Sequence, residues 1–227
     1  HNAMILIYPH NSDWDFIANL TGDRSWRAAN MRKYFQRLED CRHRPLARWF
    51  KKITGLNPSR HGFDGWLTTE VAIPMEALEN RGLRKILEEL AVDASAKLGS
   101  RLKRLRWFFK TRGDPNDWLC VKANSYGLRV LPLTTRDHVR IGAAERVREV
   151  AEKYPDKLSV ECDALAARVI FNDDNCAVGV EYLKGERLYR AHARPSSAEG
   201  EKRRAFASKE VLLCGGAFNT AQLLMLS

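Results

Sequence analysis

Residues 208–227, SKEVLLCGGAFNTAQLLMLS, decide how the chain is read. Residues 211–214 are a short unbroken apolar run, the pattern of a strand buried on both faces in a helix-covered parallel sheet. Gly215 and Gly216 follow at once and predict a tight turn free of side chains. Asn219, with Gln222 as reciprocal partner, predicts a capped helix start. Leu223, Leu224 and Leu226 make that helix apolar. Strand, glycine turn and helix N-terminus present backbone N–H groups and a positive dipole end to an anion or an electron-rich ring. An ordinary βα corner has the same pattern, so the motif alone names no ligand.

The chain has 227 residues, enough for one large domain or two small ones. With 44% hydrophobic and 29% charged residues it has the composition of a globular protein with a real core. It starts on His1 and stops within an apolar helix, so it reads as a segment of a longer chain. The net charge is +10, with basic clusters at Arg42, Arg44, Arg48, Lys51, Lys52 and at Arg101, Lys103, Arg104, Arg106, Lys110, Arg112. Such a surface admits a nucleic-acid or anionic-membrane partner. No nucleic-acid motif accompanies it, and the adjacent aromatic pairs suit packing, so a solvated basic face is the simpler reading. The five cysteines, Cys41, Cys120, Cys162, Cys176 and Cys214, are odd in number, widely spaced and without CxxC. That pattern argues against a disulfide framework and predicts no zinc site. It points to a reducing compartment, the cytoplasm. No apolar run approaches the ~20 residues of a membrane span.

Along the chain, 1–8 reads as an extended apolar segment ended by Pro9. Asn11, Ser12 and Asp13 offer caps for a helix over 14–20, and Ser25 for one over 26–39. Residues 41–52 are basic and partly helical, 53–64 a loop and 66–73 a strand. Pro74 opens a helical stretch, Asn80-Arg81-Gly82 breaks it, and helices follow over 83–98 and 102–110. Asp114-Pro115-Asn116-Asp117 is a turn and 127–133 a short extended piece. Residues 142–153 predict an amphipathic helix with Ala144, Val147 and Val150 inward. Strand signals follow at 158–160, 165–171, 177–183 and 188–193, and 195–204 reads as a polar loop. The fold class is α/β, in part α+β, with an antiparallel β meander and a helical insertion. Residues 1–54 and 126–227 form parts of one domain and 55–125 the insertion. His43, His61 and His192 fall in polar loops, where solvated or capping roles are expected. His138 is given no catalytic role.

Residues 215–227, GGAFNTAQLLMLS, resemble the second signature of the glucose-methanol-choline (GMC) flavoprotein oxidoreductases, with Ala221 where that family usually has Pro. The N-terminal HNAMILIYPHNSDWD resembles the tail of the first signature, through Asn2, Pro9 and Asp15; Leu6 departs from it. His61-Gly62-Phe63-Asp64-Gly65 and Ala177-Val178-Gly179-Val180-Glu181-Tyr182 are also similar, so the resemblance runs in order along nearly the whole chain. The subgroup it approaches is choline-dehydrogenase-like.

The resemblance implies a partial FAD-binding Rossmann-like domain, with FAD as cofactor and a small-molecule alcohol as substrate. It implies that the alcohol is oxidised by hydride transfer to flavin N5, and that O2 or another acceptor takes the electrons. The backbone of Asn2, Ala3, Met4 and Ile5 would run beside the flavin and pyrophosphate, Ala166 would meet the adenine, and Gly215 and Gly216 would approach the ribose or pyrophosphate. His1 stands where some choline-oxidising members link a histidine covalently to FAD. The family's catalytic base and its partner fall beyond Ser227, and its GxGxxG before His1. No catalytic residue and no metal ligand is therefore assigned, and this chain alone is expected to bind FAD poorly and to turn nothing over. Two alternatives stay open: a nucleic-acid or membrane-surface module, and a different FAD enzyme such as an amine oxidase.

Overall fold

In the computed structural model, which describes residues 4–71, 81, 82, 85, 89, 113–123 and 129–227, the chain divides into two units, His1–Glu152 and Lys153–Ser227. The first begins with the expected extended segment. Ile5 bridges Leu133, the Leu6 N–H donates to Pro132 O at 2.9 Å, and the Thr134 N–H donates to Met4 O at 2.8 Å. Helix α1 (Asn11–Thr21) follows, and its cap is His10 rather than Asn11, Ser12 or Asp13. The imidazole Nδ1 accepts from the Ser12 N–H at 3.2 Å, while the Asp13 carboxylate accepts from the His10 N–H at 3.1 Å. This is a capping box with a ring nitrogen in place of the usual hydroxyl. Gly22, left-handed at φ 71°, closes the helix. Ser25 does not cap the next one. Its N–H donates to Asp23 within a 3-10 turn, Arg24–Trp26, and α2 runs Ala28–Leu38.

Strand β1 (Glu39–Cys41), helix α3 (Pro45–Thr54) and strand β2 (Leu67–Val71) come next. β1 lies parallel to β2, with Glu39 opposite Leu67 and Cys41 opposite Thr69, and β2 lies antiparallel to β3 (Pro132–Leu133). Period-two geometry puts Glu39 and Cys41 on one face, and both are buried. Two glycines let the following loop press against α2. A Cβ on Gly62 would sit 2.3 Å from Gln36 O, and one on Gly65 2.1 Å from Leu38 O. Helix α4 (Trp118–Lys122) is capped by Asp117, β4 (Thr135–Arg136) pairs with β5 (Val139–Arg140), and α5 is Ala143–Lys153. α5 has the expected stripe but no buried residue, and Val147 is 40% exposed. Arg81 and Gly82, expected to break a helix, are helical. The expected helices over 83–98 and 102–110 lie outside the described residues, apart from Lys85 and Glu89.

The second unit is a meander: β6 (Ala164–Phe171), β7 (Ala177–Lys184) and β8 (Glu201–Phe206), antiparallel in that order. Residues 158–160 and 188–193, expected as strands, are not. The third strand is EKRRAF, from the supposed polar loop. An edge strand needs only backbone pairing and a compatible face. Here Glu181 of β7 accepts from Arg204 at 3.0 Å and pairs with Lys202 at 2.9 Å. Leu188 instead folds over glycine: a Cβ on Gly200 would lie 2.4 Å from its Cδ1. Residues 211–214 form no strand, and Leu212 is 74% exposed. An apolar run becomes a strand only against a partner, and it has none among the described residues. Helix α6 (Gly216–Met225) ends against β6, where the Ser227 hydroxyl accepts from the Val169 N–H at 2.8 Å and donates to Leu223 O at 2.6 Å.

The glycine contacts are checkable. Gly65→Ala is expected to destabilise by about 3 kcal/mol, as a methyl group is forced into backbone. Gly22→Ala, where the space is open and only the left-handed backbone resists, costs about 1–2 kcal/mol. Urea titrations of both variants beside the parent give the order; a Gly65→Ala variant as stable as the parent contradicts the close approach.

Candidate functional site

Of the positions tied to a cofactor by resemblance, His1, Asn2 and Ala3 lie outside the described residues. Met4 and Ile5 sit side by side in the first unit. Met4 is left-handed at φ 60°, and its carbonyl accepts from the Thr134 N–H at 2.8 Å and from the Thr134 hydroxyl at 3.3 Å. Ala166, Gly215 and Gly216 belong to the second unit. Ala166 pairs with Tyr182 and opens a register shift that leaves Ala167 without a partner on β7. Gly215 is the N-cap of α6 and supplies no side-chain hydrogen bond. Gly216 has φ 85°, and nothing lies within 4 Å of a Cβ placed on it. The expected cap, Asn219, lies inside the helix, where its Oδ1 accepts from the Tyr189 hydroxyl at 3.0 Å. The space at Gly216 is open, while Asn219 Cβ and Thr220 Oγ1 lie 3.3 Å and 3.4 Å from a Cβ placed on Gly215.

The segment carrying Met4 and Ile5 is held from below by a buried polar cluster. Asn116 acts as a substitute strand. Its Oδ1 accepts from the Tyr8 N–H at 2.9 Å and its Nδ2 donates to Leu6 O at 2.8 Å. Asn116 is itself fixed by Asp114, whose Oδ1 accepts from its N–H at 2.8 Å. The Tyr8 ring stacks on Phe35 at 4.4 Å, and the Arg32 guanidinium lies 4.6 Å from the Tyr8 ring centre. Arg32 is 4% exposed. It donates to Arg60 O at 2.9 Å, to Ser59 O at 3.1 Å and to Asn116 O. Burial lowers the proton affinity of Arg32, and burial together with the Glu39 carboxylate pushes the Tyr8 phenol far up.

Beneath Arg32 the cluster becomes a chain of acids and histidines. Glu39 accepts from His61 Nδ1 at 2.9 Å, from the Gly62 N–H at 3.0 Å and from the Thr69 hydroxyl at 2.9 Å. Asp114 Oδ2 stands 2.9 Å from both His43 Nε2 and His61 Nε2. Arg44 pairs with Asp117 at 2.9 Å and reaches Asp114 at 3.7 Å. Cys41 Sγ lies 3.6 Å and 3.7 Å from the two ring nitrogens of His43. Burial works against every charge here. The ion pair with Asp114 and the nearness of Cys41 outweigh it at His43, which is pushed up to about 10. His61 is raised well above its ordinary value by Asp114, Cys41 and Glu39 against the same burial. Although burial opposes it, Asp114 and Glu39 are held below the usual carboxylate range by their histidine partners. Burial raises Asp117.

Sequence reasoning missed this cluster. It put His43 and His61 in solvated loops, yet His61 is 0% exposed and the His43 side chain 7%. It read Asp114–Asp117 as an ordinary turn and did not bring Cys41, His43 and His61 together. The one available signal was the density of Asp, Asn and His in short polar segments. Of the first basic group, Arg44 pairs with Asp114 and Asp117, Arg48 and Arg42 with Asp40, and Lys51 with Asp64. The second group lies outside the described residues. His138 donates its N–H to Glu70 at 3.2 Å on the β4–β5 turn.

The family model for GMC oxidoreductase matches residues 2–227. The mitochondrial choline dehydrogenase of Homo sapiens is 46% identical over 70 residues, 31% of this chain and 9% of that protein. The oxygen-dependent choline dehydrogenase of Sinorhizobium fredii is 27% identical over 227 residues, 100% of this chain and 32% of that protein. The chain thus spans a third or less of these relatives. Among solved structures, pyridoxine 4-oxidase from Mesorbium loti superposes with a TM-score of 0.58 at 20% identity, covering 99% of this chain and 34% of its own. An FAD-dependent oxidoreductase from Chaetomium thermophilum gives a TM-score of 0.54 at 17% identity, covering 91% of this chain and 29% of its own. These likenesses confirm the mixed α/β fold class.

Removing the Asn116 amide leaves the Tyr8 N–H and Leu6 carbonyl without partners. Asn116→Ala is expected to cost about 1–3 kcal/mol and to speed amide exchange at Tyr8 more than at the β6–β7 pair. Exchange measured residue by residue checks this; unchanged protection at Tyr8 rules out the clamp.

Proposed function

We propose, from the premise that the chain belongs to the GMC oxidoreductase family, that it serves in FAD-dependent oxidation of an alcohol to the aldehyde or ketone. The carrying observation is the family match across residues 2–227. The choline dehydrogenase relatives support a small hydroxylated substrate of the choline type. FAD is the cofactor the family implies, and when bound it supplies the hydride acceptor at flavin N5.

The residues present fit such a group. A pyrophosphate needs backbone N–H donors with no side chain in front of them. The Gly215–Gly216 turn offers this, since Gly215 gives α6 no side-chain cap and the space at Gly216 is open. In our reading these two glycines hold the ribose–pyrophosphate portion, and the positive end of α6 favours its charge. Ala166, beside the register shift of β6, offers backbone to the adenine. In the first unit Met4 and Ile5 present backbone to the flavin. Thr134 fixes Met4, and the Asn116 clamp keeps 6–8 extended. His1, Asn2 and Ala3 complete this segment by resemblance. No residue of the chain is assigned the proton-abstracting base. The five free cysteines fit a cytoplasmic setting, and no helix among the described residues is long and apolar enough to cross a membrane. Internal pairing of the first basic group supports a small-molecule partner over nucleic acid.

The full-length protein is expected to purify with an oxidised flavin spectrum. Mixed anaerobically with choline or simple primary alcohols, it should bleach, and more slowly when the carbinol carbon carries deuterium. A colourless protein, or a flavin bleached by amines and by no alcohol, sinks the reading. Acid precipitation should leave the yellow colour in the supernatant; colour in the pellet assigns a covalent bond, with His1 as the candidate nucleophile.

A further inference from the structure

We propose that Cys41, His43 and His61 form a site for a divalent transition metal of the zinc class in the first unit, with Asp114 beside the two histidines. The donor atoms of Cys41, His43 and His61 all lie within 4.8 Å of one another. Asp114 Oδ2 stands 2.9 Å from each histidine Nε2, outside that group. Bonds of roughly 2.0–2.3 Å in a tetrahedral site put ligand atoms about 3.3–3.7 Å apart. The Cys41–His43 separations, 3.6 Å and 3.7 Å, fall there.

His61 carries the argument. Its Nδ1 donates to Glu39 at 2.9 Å, which leaves Nε2 as the nitrogen available to a metal. That nitrogen is buried and has no aligned hydrogen-bond partner, although Asp114 Oδ2 is 2.9 Å away. Without an ion a proton on Nε2 faces that carboxylate, and metal binding releases it. The Glu39–His61 pair is the outer support that metal-bound histidines ordinarily have.

The local charge agrees. Arg32 and Arg44 face the buried carboxylates of Glu39, Asp114 and Asp117, one negative charge in excess. Protons on His43 and His61 answer that charge when no ion is present; with a Cys41 thiolate and both imidazoles neutral, a divalent ion takes their place. Sulfur and nitrogen donors select zinc, cobalt or a similar ion over calcium or magnesium. Cys41 and His61 are fully buried, so the role is structural. The ion would tie β1 to the loop carrying His61, and through Asp114 beside the histidines would steady Asn116 and residues 6–8. Because Cys41 and His61 are fully buried, the metal enters as the chain folds. None of this depends on the identity of the cofactor or the alcohol.

The test uses the full-length, untagged protein produced with zinc or with cobalt in the medium and purified without chelator. Stoichiometric metal is expected. The cobalt form should show a thiolate-to-metal charge-transfer band and the intense visible bands of tetrahedral Co2+. Cys41→Ser should abolish the charge-transfer band, Glu39→Gln should weaken metal retention about 10–100-fold, and Cys120→Ser should change neither. If Cys41→Ser fails to fold, the parent spectrum still decides, because no site without sulfur gives that band. Folded protein with only trace metal, or a cobalt spectrum that lacks the band, overturns the site and leaves the four side chains sharing protons.

Discussion

A carboxylate with no access to water must find its counter-charge inside the protein. Asp114 is such a group: its side chain is 1% exposed, and its Oδ2 stands 2.9 Å from two histidines. Each of those histidines comes from a different part of the chain, His43 from the turn after β1 and His61 from the loop before β2. Arg44 answers Asp117 next door. The first unit therefore closes only when residues 39–44, 61 and 114–117 meet. Leaving one partner behind buries an uncompensated charge, at about 3–5 kcal/mol. An apolar core of the same volume could be equally stable, but it would tolerate small shifts that this cluster does not.

That intolerance has a use. Asp114 fixes the backbone of Asn116, and Asn116 fixes the backbone of 6–8. Arg32 spans the same parts, donating to three carbonyls and covering the Tyr8 ring. Met4 and Ile5 thus stand at the end of a chain of short, directional contacts. A backbone proposed to lie along a flavin has to be placed to a fraction of an ångström, because its hydrogen bonds fail beyond that.

Legibility in the sequence followed the range of the interactions. β6 and β7 read clearly, because apolar residues recur along each and a short polar turn joins them. α1 and α2 were placed closely, with errors at the caps: no propensity rule ranks His10 above Asn11 and Ser12, since only local geometry turns Nδ1 toward the Ser12 N–H. β8 was invisible, as EKRRAF has no alternation and takes its side-chain ties from Glu181, 23 residues away for Arg204. The buried cluster was hidden for the same reason, with His43 and Asp114 separated by 71 positions. The resemblance saw further. The stretch 61–65 that carried part of it is where His61 enters the cluster and where Gly62 and Gly65 touch α2. Residue identity there is set by contact, so the pattern holds where periodicity says nothing.

The two units rest on different physics. The first keeps nine-tenths or more of Glu39, His61, Thr68, Thr69, Asp114 and Asn116 from solvent, and its interior is held by directed polar contacts. In the second, Val169 is the buried apolar side chain among the described residues, while Phe206, Phe218 and Met225 are 72%, 91% and 87% exposed. Its meander stands on backbone pairing and on the charges around Glu181. A helix as apolar as α6 is at its most stable when covered, and an apolar run such as 211–214 becomes a strand only beside another. Residues 211–214, with no such neighbour among the described residues, form an exposed coil where the sequence predicted a strand. The glycine turn that follows depends less on that neighbour, because its form comes from Gly216 itself and from the helix it opens.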